Sequence, residues 1–295
     1  MSLGPRTYLV CKFLQKMIPA ACFLLLIFPP MIRAQSPSGA AVHTAEPEDF
    51  DQYKFRIDAF WFYSNPSGSI QGTADVDTTS IDLQKDLGFD AYSTFSGKVE
   101  WKFTRKNHLY VAISPFYTSH ETTLNRTITF QGQTFEVGLL TRSDLHAFLV
   151  APGYQYDIIR RKRGHLGISV QADLFNTSAK ISAAAQIVNG VQQPAVSASG
   201  SLLAPIPVIG PEFRIYPFNS PHFFFEGNVY GMYLFGYGNF VSTTDAIGVA
   251  FNRHISLNAG YQLGSRLVVQ ASPSNDRVGI RLTQQGAVVG AQFSF

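Results

Sequence analysis

Apolar and polar side chains alternate along this chain in runs of about ten residues, the signature of half-buried β-strands. Tyr53, Phe55, Ile57, Ala59, Trp61 and Tyr63 fall on one face of an extended segment, with Lys54, Arg56 and Asp58 opposite. Only Phe60 and Phe62 interrupt the polar face. The pattern returns with Phe95, Val99, Trp101 and Phe103 against Ser96, Lys98, Glu100, Lys102 and Thr104. It returns again with Leu166, Ile168, Val170, Ala172 and Leu174 against Gly167, Ser169, Gln171 and Asp173, and with Ile255, Leu257, Ala259, Tyr261 and Leu263 against Ser256, Asn258, Gly260 and Gln262. Helical periodicity is absent, and after residue 35 no stretch approaches the roughly 18 consecutive apolar residues that a spanning helix needs.

A tilted strand of about ten residues crosses the hydrocarbon layer of a membrane, whereas strands of soluble sheets average about five or six. A soluble exported sandwich would show the same alternation with its polar face outward. Strand length and the aromatic residues near strand ends (Tyr53, Trp61, Tyr63, Trp101, Phe103) favour the opposite arrangement, with lipid outside and a polar lumen within. The fold class expected is all-β, an antiparallel transmembrane β-barrel of about ten strands, with any even number from eight to twelve compatible.

Turn signals set that count. Short breaks at 105–107, 160–164, 218–221 and 252–253 read as tight periplasmic turns, and longer connections at about 64–92, 121–143, 177–205, 236–243 and 270–277 as external loops. Asn189-Gly190 suits a type I′ hairpin tip, and 130–135 is a similar Gly-centred reversal. The apolar face runs through Val278, Ile280 and Leu282 but through odd positions from Val289, which predicts one extra residue absorbed near Gln284-Gln285-Gly286.

The end of the chain is the most specific feature. Ala287 to Phe295 alternates to the final residue, with Phe293 and Phe295 on the apolar face. A last strand ending on an aromatic residue, with another two positions before it, resembles the assembly signal of small bacterial outer-membrane β-barrel proteins. The resemblance covers residues 50–295 in pattern. It implies an outer-membrane location, outer-membrane lipid and the barrel-assembly machinery as partners, and Phe293 and Phe295 as the signal.

The first 34 residues read as a secretory signal: Arg6, Lys12 and Lys16 precede an apolar core from Met17 to Phe28, and Ala34 stands at the expected cleavage point. Residues 35–50 read as a polar periplasmic leader and 51–295 as the barrel, with no further domain expected. The signal holds four of the 23 basic residues and none of the 20 acidic ones, so the remainder carries a net charge near −1. The basic pI therefore gives no reason to expect nucleic acid as a partner. Cys11 and Cys22 also lie in the signal, which leaves the barrel without a thiol, a disulfide or a cysteine metal site.

In this register Lys54, Arg56, Asp58, Lys98, Glu100, Lys102, Asp173, Glu212, Arg214, Glu226 and Arg281 face the lumen. Both signs are present, so in a narrow barrel they pair and fill the interior, which favours a closed or barely conducting lumen. A narrow pore using the same charges for selectivity is the alternative. Ser119-His120-Glu121-Thr122 is the one local cluster with hydrolase residue types, but neighbours on a strand point to opposite faces, which separates His120 from Ser119. The histidines show no metal-ligand spacing, and neither a metal nor a cofactor is expected. The run Arg160-Arg161-Lys162-Arg163 reads as a solvated turn able to touch anionic headgroups. The expected function is non-catalytic: a narrow porin-like conduit or a barrel that binds a small hydrophobic, lipidic or ionic ligand. A structural or adhesin-like barrel is the alternative, and a lipid-modifying enzyme is a more distant one.

Overall fold

The computed structural model describes residues 50–71, 80–218, 220–234, 238–271 and 278–295. The expected signal, residues 1–34, and all of the expected leader except Phe50 lie outside them. In chain order the strands are β1 (Phe55–Gln71), β2 (Ile81–Asp82), β3 (Tyr92–Lys102), β4 (Asn107–Thr123), β5 (Ile128–Phe130), β6 (Gln133–Phe135) and β7 (Leu140–Arg161). They continue with β8 (Gly164–Ala183), β9 (Gln186–Val188), β10 (Val191–Gln193), β11 (Val196–Ile215), β12 (Phe223–Leu234), β13 (Gly238–Ala250), β14 (Ile255–Ala271) and β15 (Val278–Ser294).

Ten of these close a barrel. The sheet runs β15-β14-β13-β12-β11-β8-β7-β4-β3-β1, and β15 pairs back to β1, so neither long strand is left with an open edge. Every contact is antiparallel between strands consecutive around the ring. Phe295 completes the seam: its carbonyl accepts from the N–H groups of Lys54 and Phe55, at 2.7 and 3.1 Å, and its own N–H donates to Phe55.

The side-chain pattern is that of a protein turned inside out. Val99 is 52% exposed and Trp101 46%, whereas Glu100 between them is 1% exposed. Leu166, Ile168 and Leu174 are outward, while Ser169 and Asp173 are buried. An aqueous exterior would leave that apolar surface costly, at about 25 cal/mol per Å²; a hydrocarbon exterior removes the cost and confines charge to the interior. Among the described residues no helix is long and apolar enough to cross a membrane; the crossing is made by strands.

Two external connections are short hairpins. Asn189 and Gly190 have φ of 51° and 79°, and Gln131 and Gly132 have 51° and 75°, the doubly positive backbone of type I′ turns. They join β9 to β10 and β5 to β6.

Register departs from expectation at two places. β15 contains no extra residue: it pairs with β1 without a shift from Arg56↔Ser294 to Gln71↔Gly279. The bulge lies in β14, between Gln262 and Ser265. In β7 a bulge at Asp157/Ile159 leaves Ile158 and Ile159 both outward, which reverses the parity and turns Arg160 into the lumen.

The ladders are unequal in length. β8–β11 is paired from Val196↔Ala183 to Ile215↔Gly164 and β4–β7 from Asn107↔Tyr156 to Thr123↔Leu140. By contrast β3–β4 pairs only from Lys102↔His108 up to Gly97↔Ile113, and β11–β12 no higher than Ile209↔Gly231.

Candidate functional site

The interior is layered, and its lowest layer is ionic. Glu100, on the inward face of β3, accepts from Arg56 Nη2 at 2.9 Å and lies 3.2 Å from Lys98 Nζ and 2.7 Å from His108 Nδ1. The Tyr53 hydroxyl also donates to it. His108 Nε2 faces Asp157 at 3.2 Å, and Asp157 holds Arg160 at 2.7 Å. Lys98 reaches Glu212 at 3.3 Å, and Glu212 accepts in turn from Tyr230 and Ser169. Arg214 donates to Gln292 at 2.7 Å, and Gln292 and Asn258 donate to Glu226. A charge enclosed this deeply is costly unless paired, and residues from six or more strands supply the partners, although Arg56 Nε and Nη1, Asp58 Oδ1 and Arg214 Nε are buried without a hydrogen bond.

Asp51 plugs this floor from the end where the short turns lie. It precedes β1, is buried, and lies 3.3 Å from Lys102 Nζ, 3.2 Å from His165 Nδ1, 3.7 Å from Arg160 and 3.9 Å from Arg214. Burial alone would raise its carboxyl pKa; Lys102, His165 and Arg214 outweigh burial and hold it well below the usual carboxylate range.

Above the floor lies a chamber of about 360 Å³. Asp58, Asp173 and Gln171 stand at its lower wall, and Phe60, Phe62, Phe175, Ile206, Phe240 and Val288 at its upper wall. Tyr110 donates to Gln171, which donates to Asp173 at 2.7 Å. The two phenylalanines that interrupt the polar face of the first strand therefore line the chamber, beside polar neighbours such as Thr94, Ser96 and Gln284.

An apolar cap stands over the chamber at the end opposite the floor. Ile81 of β2 and Leu83, Leu87 and Phe89 after it pack with Ile128, Phe130 and Phe135 of the β5–β6 hairpin and with Leu145 and Ile181 of the barrel wall. Tyr92, Phe116, Ala147 and Leu282 belong to both cap and chamber. One ion pair staples the two cap segments: Arg126 Nε donates to Asp86 Oδ1 at 2.8 Å. That bond, more than any other influence, lowers the Asp86 pKa.

Of the charges expected in the lumen, Arg56, Asp58, Lys98, Asp173, Glu212, Arg214 and Glu226 line the chamber, and Glu100 and Lys102 are buried in the floor. Lys54 and Arg281 are placed differently. Lys54 sits before β1 at the rim and is exposed. Arg281 is exposed because β15 keeps one parity throughout, so that Leu282 points inward onto the cap. Asp51, His108, Asp157, Arg160 and His165 are floor residues outside that set. His108 was legible from the outward Leu109, Val111 and Ile113 that alternate with it; Arg160 was hidden by the bulge. The Ser119 hydroxyl donates to Asp144 at 2.7 Å, while His120 faces Gly88, so the two do not form a pair. Among the described residues no cluster of three or more His, Asp or Glu could hold a metal ion.

No family model and no curated protein matches the chain. Among solved structures it is similar to the outer membrane protease OmpT from Escherichia coli, with 12% identity, 84% of this chain and 100% of that chain covered, and a TM-score of 0.52. The fold is that of an outer-membrane β-barrel protein. More distant similarity extends to the toluene transporter TodX of Pseudomonas putida (8% identity, 82% and 90% covered, TM-score 0.36) and to OprG from Pseudomonas aeruginosa (9%, 84% and 100%, 0.34). At these identities the likeness concerns the fold, and function rests on the chamber itself.

Proposed function

We propose that this protein resides in the bacterial outer membrane and holds a small, largely apolar ligand in its lumen, without catalysing a reaction and without forming a continuous aqueous pore. The observation that carries this reading is the chamber between an ion-paired floor and an apolar cap. Phe60, Phe62, Phe175, Ile206, Phe240 and Val288 give an alkyl or aromatic body apolar surface to bury against, at about 25 cal/mol per Å². Asp58, Lys98 and Asp173 below offer hydrogen-bond partners to a polar end.

A photoreactive diazirine analogue of lauric acid tests the reading in detergent-folded protein. Adducts are expected on peptides carrying Phe60, Phe175 and Ile206, and excess unlabelled laurate should suppress them. Adducts confined to the outer surface would overturn it. In planar bilayers the folded barrel should give no channel events; regular unitary conductance would favour the porin-like alternative.

A further inference from the structure

The chamber has a side as well as two ends. β3 and β4 both continue above Gly97↔Ile113: β3 stays paired with β1 to Ser64↔Tyr92, and β4 with β7 to Thr123↔Leu140. Between each other, however, they form no ladder from Tyr92 to Ser96. Pro115 accounts for the gap. The unbroken β4–β7 ladder runs through it, so its ring nitrogen faces β3, and proline has no N–H to give.

The gap is framed. Below stands the last backbone pair, Gly97–Ile113, and above it the Tyr92 and Phe116 rings meet at 4.2 Å. Between them the inward side chains are small, Ser96 and Ser114, and one side-chain bond crosses, from Thr94 Oγ1 to the Pro115 carbonyl. Ile113 faces outward and is 44% exposed, yet it lines the chamber together with Gly97.

Depth places the gap in one leaflet. Phe95, 73% exposed, lies eight positions along the chain from Phe103 at the periplasmic girdle. At about 3.3 Å per residue and a tilt of about 40°, that is roughly 20 Å of a hydrocarbon band about 25 Å tall, so the gap opens on the outer leaflet. β11–β12 also loses its ladder above Ile209, where Pro205 and Pro207 stand in β11. There Ala204, Ile206 and Val208 pack against Tyr230 and Met232 and seal the interior.

We infer that the β3–β4 gap is a lateral window through which a single-chain amphiphile passes between the outer leaflet and the chamber, with Thr94 as its latch. This rests on the lumenal-ligand reading above. The probe is again the diazirine analogue of lauric acid, now dissolved in the bilayer of phosphatidylcholine vesicles containing the barrel, with lumenal adducts counted against time before the flash. A disulfide across the window, in F95C/P115C, should slow lumenal labelling at least about tenfold, and reduction should restore it. The same staple across the other seam, in P207C/Y233C, should leave the rate unchanged. If the F95C/P115C staple does not form, Pro115→Val, which returns an N–H to the ladder, should slow entry in the same direction. Normal labelling at equilibrium in micelles, with an unslowed rate in both the stapled protein and Pro115→Val, removes the window and leaves the ligand reading intact. Absence of lumenal adducts even in micelles removes the ligand reading and the window with it.

Discussion

The two ends of the lumen are closed by opposite chemistry. The floor is a net of charges in which several members serve more than one other: Glu100 alone serves Arg56, Lys98, His108 and Tyr53. The external cap is a packed apolar cluster with a single ion pair of note, Arg126–Asp86. Ionic closure is directional and collective, since any member removed leaves the others buried without compensation. Apolar closure is divisible, and each side chain contributes in proportion to what it buries. The floor should therefore fail as a unit and the cap piece by piece.

Glu100→Gln is the strongest test of that contrast. Four cationic or proton-sharing partners lose their common carboxylate, at a cost of about 3–5 kcal/mol, read as a lower urea midpoint of the whole barrel in lipid vesicles. An unchanged midpoint would show that the floor is not collective. Phe135→Ala, fully buried in the cap, should cost about 3 kcal/mol, but locally: faster amide exchange across 124–139 with the barrel midpoint retained.

Asp51→Asn should follow, at about 2 kcal/mol for a lost charged hydrogen-bond partner, seen as exchange of residues 50–54. Its pH dependence has a definite sign. The folded carboxyl pKa is depressed, so the latch contributes fully above the unfolded value of about 4 and weakens as pH falls from there through the folded value. Acid should thus speed amide exchange of residues 50–54 in the native protein and make no further difference in Asp51→Asn. Least of all, Gly190→Val should cost about 1 kcal/mol, because φ there is 79° and a branched side chain resists that region. The loss should be confined to β9–β10.

Much of this architecture was legible in the alternation of the chain. Where lipid lies outside and charge within, every second residue announces its side, and Arg56, Asp58, Glu100 and Asp173 are found that way. The rule fails where its premise fails. At the cap the interior becomes apolar, so Leu282 points inward although it is hydrophobic, and an alternation that had merely exchanged partners reads as a slip in register. At Arg160 a real slip is silent, because Ile158 and Ile159 are both apolar and no polar residue marks the extra position. Asp51 belongs to no periodic segment at all; only its burial among Lys102, Arg160, His165 and Arg214 reveals it. The chamber was visible as an irregularity, Phe60 and Phe62 on a polar face, and an exception of this kind is where a functional surface is to be sought.

The pairing of β1 with β15 carries a consequence for how the molecule comes to exist. Its partners stand more than two hundred positions apart in the chain, so this ladder is the slowest to find by chance, and until it forms β1 presents seventeen residues of unpaired backbone to its surroundings. During that interval the first strand is a template that any other extended segment can copy, including the β1 of a neighbouring molecule. Whatever occupies that border until the last strand arrives decides whether a cylinder or an aggregate results.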